Sequence, residues 1–331
     1  MNILKSLICG AILCLLLSPV AHASDSPACK LTRVANLDMT LDKYGRPIIP
    51  VTINGAAKMA LVDTGGAFSS MTDNTVRELN MRAVLFPMHN VVYIDGTSPT
   101  EMTYTEYFAA GKLNLATKGV YFAVNEPPHG DDAFDATLSS DIMHLFDVEL
   151  DFPSGKFQLF LQGNCGDDSV HWTNAPHAVL LFETNKVDWD TTYRHMLAPG
   201  SHTNAIQSPD WHMMARATLD GEIVDVILDT GAKTSTMTLE DAKDVIHGPD
   251  AKNLKPVDDR SAYIYPFKTL TLGDITINNP QIEILTAKPD RVSTLGQIRP
   301  KLRLGAPVFR QLHLYISYKD KKIYLTSTTT H

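Results

Sequence analysis

The chain lacks the features that mark several functional classes. Beyond its first residues, no stretch approaches the ~18 consecutive apolar residues of a membrane span. Positive charge is scarce: 29 Lys plus Arg stand against 37 Asp plus Glu, a formal net charge of −8. A nucleic-acid partner, which needs a clustered basic face, is therefore not expected. Metal-ligand spacing is missing too. No C-x-x-C or H-E-x-x-H occurs, and the 12 histidines follow no ligand pattern, so neither a metal nor an organic cofactor is expected. Hydrophobic residues at 44% and charged residues at 20% exclude disorder and collagen-like architecture.

What is present begins with a targeting segment. Lys5 gives a positive start, Leu7 to Leu17 forms a short apolar core, and Ser18-Pro19 breaks it before Ala21-His22-Ala23. Residues 1–23 read as a signal peptide cleaved after Ala23, with no stable membrane insertion afterwards. An uncleaved anchor is the alternative. A lipoprotein is disfavoured because Cys29 lies well past the core, without a Leu three residues before it. The signal looks bacterial, so the mature protein is expected to be periplasmic or secreted. Cysteine is rare, with 4 in the chain. Cys9 and Cys14 leave with the signal peptide. Cys29 and Cys165 remain, and in an exported chain they are expected to form a disulfide, two independent thiols being the alternative.

An internal repeat organises the rest. Val51 to Thr72 reads VTINGAAKMALVDTGGAFSSMT, and Ala217 to Thr238 reads ATLDGEIVDVILDTGAKTSTMT, at an offset of 166 with 8 of 22 positions identical. The offset returns downstream, where Leu138, Ile142, Met143, Phe146 and Val148 fall on Leu304, Val308, Phe309, Leu312 and Leu314. A slip of one residue turns a strand inside out, so a shared register implies a shared fold. Each half reads as mostly β, with an Asn54-Gly55 or Asp220-Gly221 hairpin and a short helix at Asp73 to Asn80 or Leu239 to Val245. Further hairpins are expected over Gly111 to Val124 and Gly273 to Leu285. Closing hairpins are expected over Phe146 to Phe160 and Leu312 to Leu325. The expected organisation is an N-terminal lobe over residues 29–165, a linker and insertion over 166–209, and a C-terminal lobe over 210–328. Ala178 to Phe182 reads as a strand beginning the second half, and residues 184–209 match nothing in the first. Trp172, Trp189, Trp211 and Met196 read as packing anchors.

Both repeat units carry an apolar strand ending in Asp-Thr-Gly. Gly65 and Gly231 allow a tight turn in which backbone amides approach a carboxylate. Thr64 and Thr230 can hydrogen-bond across a lobe interface and lock the turns together. Asp63 and Asp229 then face each other, and two carboxylates that close share one proton. The ionised one can act as a general base on water while the protonated one donates to a substrate carbonyl.

On LVDTGGAFS at Leu61 to Ser69, ILDTGAKTS at Ile227 to Ser235, LSSDIMHLFDVELDF and LGAPVFRQLHLYISY, the chain resembles the aspartic proteases, specifically the bacterial retropepsin-like families. The resemblance implies a mainly β, bilobal acid-protease fold, two β-barrel-like lobes with short helices, and Asp63 and Asp229 as the catalytic pair. It implies an active monomer, since one chain supplies both turns, and a peptide or protein substrate. It also implies a flap, for which the hairpin around Tyr93, Asp95 and Gly96 is the candidate. The first lobe departs from the family at Ser139, where the second keeps Gly305 beneath the catalytic turn. Gly66 and Ala232, which follow the Asp-Thr-Gly turns, carry no side-chain donor for the carboxylates. A pair without such donors holds its proton to higher pH, so a weakly acidic to near-neutral optimum is expected. The alternatives are a non-catalytic bilobal peptide-binding protein of the same fold, and two lobes serving as dimerisation modules. A pure binder would have no reason to keep the like-charge pair, so catalysis leads.

Overall fold

The structure is a computed structural model that describes residues 29–85, 99–117, 119–125, 134–163, 165–184, 213–246, 254–257, 262–286 and 300–327. The expected signal peptide, the flap candidates Tyr93, Asp95 and Gly96, most of the 184–209 insertion, and Trp189, Met196 and Trp211 lie outside those residues. Among the described residues, no helix is long and apolar enough to cross a membrane.

Strands β1 (Arg33–Asp38), β2 (Thr40–Leu41), β3 (Pro47–Ile53), β4 (Ala56–Asp63) and β5 (Ser70–Thr72) lead into helix α1 (Asp73–Glu78). Next come β6 (Ala83–Leu85), β7 (Glu101–Thr105), β8 (Phe108–Ala110), β9 (Leu113–Asn114), β10 (Val120–Asn125) and β11 (Ala136–Ser139). Helix α2 (Ser140–Met143) precedes the closing strands β12 (Asp147–Asp151) and β13 (Lys156–Phe160). The second half runs β14 (Ala178–Leu181), β15 (Met214–Leu219), β16 (Glu222–Leu228), β17 (Ser235–Thr238) and α3 (Leu239–Val245). It continues with β18 (Lys255–Pro256), β19 (Ala262–Ile264), β20 (Thr269–Leu272), β21 (Ile275–Asn278), β22 (Ile282–Leu285) and β23 (Leu302–Leu304). Helix α4 (Ala306–Phe309), β24 (Leu312–Ser317) and β25 (Lys322–Ser327) complete the chain.

The chain is mainly β and bilobal, and the two lobes are built alike. The first lobe's sheet runs β6-β7-β10-β5-β11-β4-β3-β8-β9, and the second's runs β18-β19-β22-β17-β23-β16-β15-β20-β21. Apart from β2, which pairs β3 in the first sheet alone, each strand of one has its counterpart at the same place in the other. Local chemistry explains the repeated pieces. Asn54 and Gly55 have φ of 48° and 87°, and Asp220 and Gly221 have 49° and 94°, the two-residue turn whose twist matches the flanking strands. Thr72 caps α1 by accepting from the Thr75 amide, and Thr238 caps α3 by accepting from Asp241, satisfying amides that a helix start leaves open.

The third sheet joins the lobes. Its order is β1-β13-β12-β24-β25-β14, so the closing hairpins of the two halves pair edge to edge. Glu149 and Tyr315 sit opposite one another at the centre of the β12–β24 ladder. Their numbers differ by the repeat offset of 166, which places the pseudo-two-fold axis there. Two independent lobes are not compatible with this continuous sheet. The apolar core extends through it: Val148, Leu150, Phe157, Leu159, Leu314, Ile316 and Ile323 are all buried, each contributing roughly 1.5–3 kcal/mol on burial.

One expectation needs correction. Gly111 and Gly273 do not begin hairpins reaching Val124 and Leu285. They turn the short β8–β9 and β20–β21 hairpins, while β10 and β22 pair with other strands. A glycine marks a turn without saying which flanking strand pairs across it. Ala178–Leu181, expected as a strand beginning the second half, joins the shared sheet beside β25, where it is the counterpart of β1.

Glu149, 1% exposed, is the polar centre of this sheet. Its Oε1 accepts from Gln158 Nε2 at 2.7 Å and lies 2.9 Å from His313 Nε2, and its Oε2 lies 2.7 Å from His171 Nε2. Trp172 stacks on His313 with ring centroids 3.7 Å apart and donates to Thr326 Oγ1, which makes it the packing anchor expected. A buried carboxylate is tolerable only with partners of this kind. Nearby, Cys29 and Cys165 form a disulfide with Cα atoms 5.1 Å apart, spanning 136 residues. The bridge ties the start of β1's lobe to the segment entering the second half. Closing so long a loop contributes about 4–5 kcal/mol in the chain-entropy model. Cys165→Ser is therefore expected to lower unfolding free energy by about 2–5 kcal/mol. Urea titration of the two proteins checks this, and coincident midpoints would contradict it.

Candidate active site

The strand leading into each Asp-Thr-Gly turn has one parallel neighbour. β4 delivers Asp63 beside Ser139 of β11, and β16 runs beside β23 with Leu228 opposite Leu304. Asp229 N donates to Leu304 O at 2.9 Å. The turns close alike, by Gly66 N to Asp63 O at 3.4 Å and Ala232 N to Asp229 O at 3.3 Å. Below them, the Ser139 amide donates to Ser69 Oγ at 2.9 Å and the Gly305 amide to Ser235 Oγ at 3.0 Å.

The threonines cross between lobes. Thr64 N donates to Thr230 Oγ1 at 3.1 Å, and Thr64 Oγ1 donates to Leu228 O at 2.7 Å. Reciprocally, Thr230 N donates to Thr64 Oγ1 at 3.0 Å and Thr230 Oγ1 to Val62 O at 2.7 Å. Both side chains are buried, at 0% and 1% exposure, so each hydroxyl both accepts and donates in a site closed to water.

This bonding puts each glycine under the opposite carboxylate. A Cβ on Gly65 would stand 2.6 Å from both Asp229 oxygens, and one on Gly231 would stand 2.6 Å from Asp63 Oδ1. Only a residue without a side chain fits either place. Gly65 N meanwhile donates to Asp63 Oδ1 at 2.9 Å. Asp63, Asp229, Thr64, Thr230, Gly65 and Gly231 are thus brought to one site. Tyr93, Asp95 and Gly96 lie outside the described residues. Asp229 is buried and Asp63 partly exposed.

Three residues at this site were not singled out from sequence as functional. Ser139 looked like an irregularity, yet it is matched by its neighbour. A Cβ on Gly66 would meet Ser139 Oγ at 2.5 Å and Asp63 Oδ2 at 2.8 Å. The first lobe therefore pairs Gly66 with Ser139, whereas in the second lobe a side chain on Gly305 would meet the Thr234 carbonyl oxygen at 2.4 Å. The second is Arg303, whose Nη1 lies 3.5 Å from Asp229 Oδ2 and whose Nε donates to Thr236 Oγ1 at 3.2 Å. Its sequence signal was a charge between two apolar strand residues, Leu302 and Leu304. The third is Asp141, which accepts from Ser69 N at 2.9 Å and Ser69 Oγ at 2.6 Å. The residue keeps some surface, but its carboxyl is enclosed, and burial pushes its pKa up to about 6 despite those donors. Burial, and then the carboxylates of Asp141 and Asp63, raise the Tyr318 hydroxyl far above its ordinary range, so it stays protonated beside them.

The near-neutral optimum was expected from Gly66 and Ala232, which offer the carboxylates no side-chain donor; the Arg303 guanidinium, 3.5 Å from Asp229 Oδ2, is a further influence on the pair's proton.

No family model matches the sequence, and no curated protein matches it. Among solved structures, basic 7S globulin from soybean is similar over 91% of this chain and 96% of its own, with 10% identity and a TM-score of 0.46.

Asp141 carries a stability prediction. Its raised pKa means the folded state holds a proton more tightly than the unfolded chain, so its contribution is full below pH 3.8 and is lost as pH rises through about 6. Asp141→Asn is expected to flatten the decline in unfolding free energy across that window. Urea unfolding at a series of pH values checks it, and parallel curves for both proteins would refute it.

Proposed function

We propose that the protein is an exported aspartic-type endopeptidase, a hydrolase acting on peptide or protein substrates. The observation that carries this reading is the reciprocal Thr64–Thr230 bonding, which joins two Asp-Thr-Gly turns and sets each glycine beneath the other turn's carboxylate. In the proposed reaction a water molecule sits between Asp63 and Asp229. Its oxygen adds to the substrate carbonyl carbon as one carboxylate takes its proton, and the other carboxyl gives its proton to the carbonyl oxygen. The leaving amine then takes a proton as the C–N bond breaks. Thr64, Gly65, Thr230 and Gly231 hold the pair in place, and Tyr93, Asp95 and Gly96 are assigned to a flap.

Kinship with bacterial retropepsin-like families is part of this proposal and rests on the two motifs and the repeat. So are the lobes at residues 29–165 and 210–328, joined through 166–209. A disulfide and the absence of a membrane-length helix among the described residues are compatible with export. Periplasmic or secreted location after cleavage at Ala23 belongs to the same reading.

The test is hydrolysis of denatured casein by the mature protein, with and without pepstatin. Asp63→Asn and Asp229→Asn are each expected to lower the rate by about 10²–10⁴-fold while the circular dichroism spectrum is kept. Full activity in either variant would defeat the paired assignment. Peptide binding without turnover in the unmodified protein would assign the non-catalytic peptide-binding alternative.

Because one chain supplies both turns, activity per milligram is expected to stay constant on dilution, with a monomer in sedimentation. A steep fall on dilution would point to assembly instead.

A further inference from the structure

We propose that Arg303 is a positioning residue that polarises the carboxylate pair, holding the negative charge on Asp229 and leaving the shared proton on Asp63. The inference rests on reading these two groups as one interacting pair, as proposed above, and assigns a distinct role to each.

The placement of Arg303 is costly. It lies in the middle of β23, between Leu302 and Leu304, both 0% exposed. Its strand neighbours are Ile227 and Thr236. A guanidinium in the interior of a sheet needs partners, and here its Nε bonds Thr236 while Nη1 faces Asp229 Oδ2 at 3.5 Å, with the Arg303 side chain only 17% exposed. The repeat offers an internal control. The counterpart of Arg303 in the first lobe is Thr137, a neutral residue whose Oγ1 accepts from Ser70 N at 2.9 Å and lies 3.0 Å from Ser70 Oγ. The frame is symmetric about the axis, and the charge is not.

A cation beside one carboxylate of a pair favours negative charge there, which is Asp229. On the other side the carboxyl of Asp141, held by Ser69, keeps its proton to about pH 6 and adds no charge below that. The Gly65 amide donates to Asp63 Oδ1 at 2.9 Å and by itself favours charge on Asp63, but the full charge of Arg303 outweighs one neutral donor. The other charged groups are accounted for. Glu283 of β22 is the register partner of Thr236, Lys233 lies over the Tyr44 ring at 4.7 Å, and Lys301 is paired with Asp244 at 2.7 Å. Asp225, further back on β16, pairs with Arg216 at 3.5 Å. Arg303 is therefore the cation aimed at the pair among the described residues. Asp229 then meets the water as the base, and Asp63 keeps the proton for the carbonyl oxygen.

The test reads protonation directly and needs no turnover. The mature protein labelled with ¹³C at the aspartate carboxyls is titrated by NMR, with Asp63→Asn and Asp229→Asn assigning the two signals. As pH rises, the first ionisation of the pair is expected to appear mainly on the Asp229 signal. Arg303→Gln is expected to move that step to higher pH by about one unit, and Arg303→Lys to restore most of the difference. A first ionisation on Asp63, or an Asp229 step that Arg303→Gln does not move, would overturn the proposal. The order in the unmodified protein decides the matter even if the glutamine variant does not fold. Absent casein hydrolysis with the expected order would sink the peptidase reading alone, and hydrolysis with the reverse order would sink this inference alone.

Discussion

The structure turns on one reciprocal interaction, the exchange of hydrogen bonds between Thr64 and Thr230. Each hydroxyl accepts from the other turn's amide and donates to a carbonyl of the opposite strand, Leu228 or Val62. Four bonds at 2.7–3.1 Å between buried groups leave no lone donor to accommodate a shift of one turn against the other. Losing a partner there would strand a polar group away from water, which costs more than the bond itself contributes. The lock is therefore what sets Gly65 under Asp229 and Gly231 under Asp63.

That lock would be weak without a frame holding the lobes in register. The six-stranded sheet supplies the frame, because β12 and β24 pair about the same axis that relates the two turns. Glu149 at its centre, bonded through Gln158, His171 and His313, gives the sheet a polar anchor that only one register can satisfy. The Cys29–Cys165 bridge and the stacking of Trp172 on His313 brace the same region. Apolar burial drives the two closing hairpins together, and these directional contacts choose how they meet.

On this symmetric frame the chain has placed unlike residues. Gly66 with Ser139 answers Ala232 with Gly305, Thr137 answers Arg303, and Asp141 has Pro307 as its counterpart. Arg303 puts a charge beside Asp229 where its counterpart Thr137 is neutral, while the strands that carry the two residues pair in the same way. Two identical halves would present the carboxylates with equal surroundings. A single chain is free to make them unequal.

The sequence by itself determined the local and repeated parts: the Asn54-Gly55 and Asp220-Gly221 turns, the short helices after each Asp-Thr-Gly, the apolar strands that end in Asp-Thr-Gly, and the pairing of the last two cysteines. These are legible because turn dihedrals, caps and alternation act over a few residues, and because an offset of 166 repeats them in register. Strand partnership was less accessible. Gly111 and Gly273 turn different hairpins from those expected, and Ala178–Leu181 joins a sheet shared by both lobes. Parallel neighbours such as β11 beside β4 and β23 beside β16 are connected through long crossovers, so no short-range pattern announces them. Arg303 and Asp229 are 74 positions apart, and only the packing of β23 along β16 makes that charge a neighbour of the carboxylate. What tertiary structure alone decided is which side chains share the space around the two aspartates, because that depends on contacts between segments with no local influence on each other.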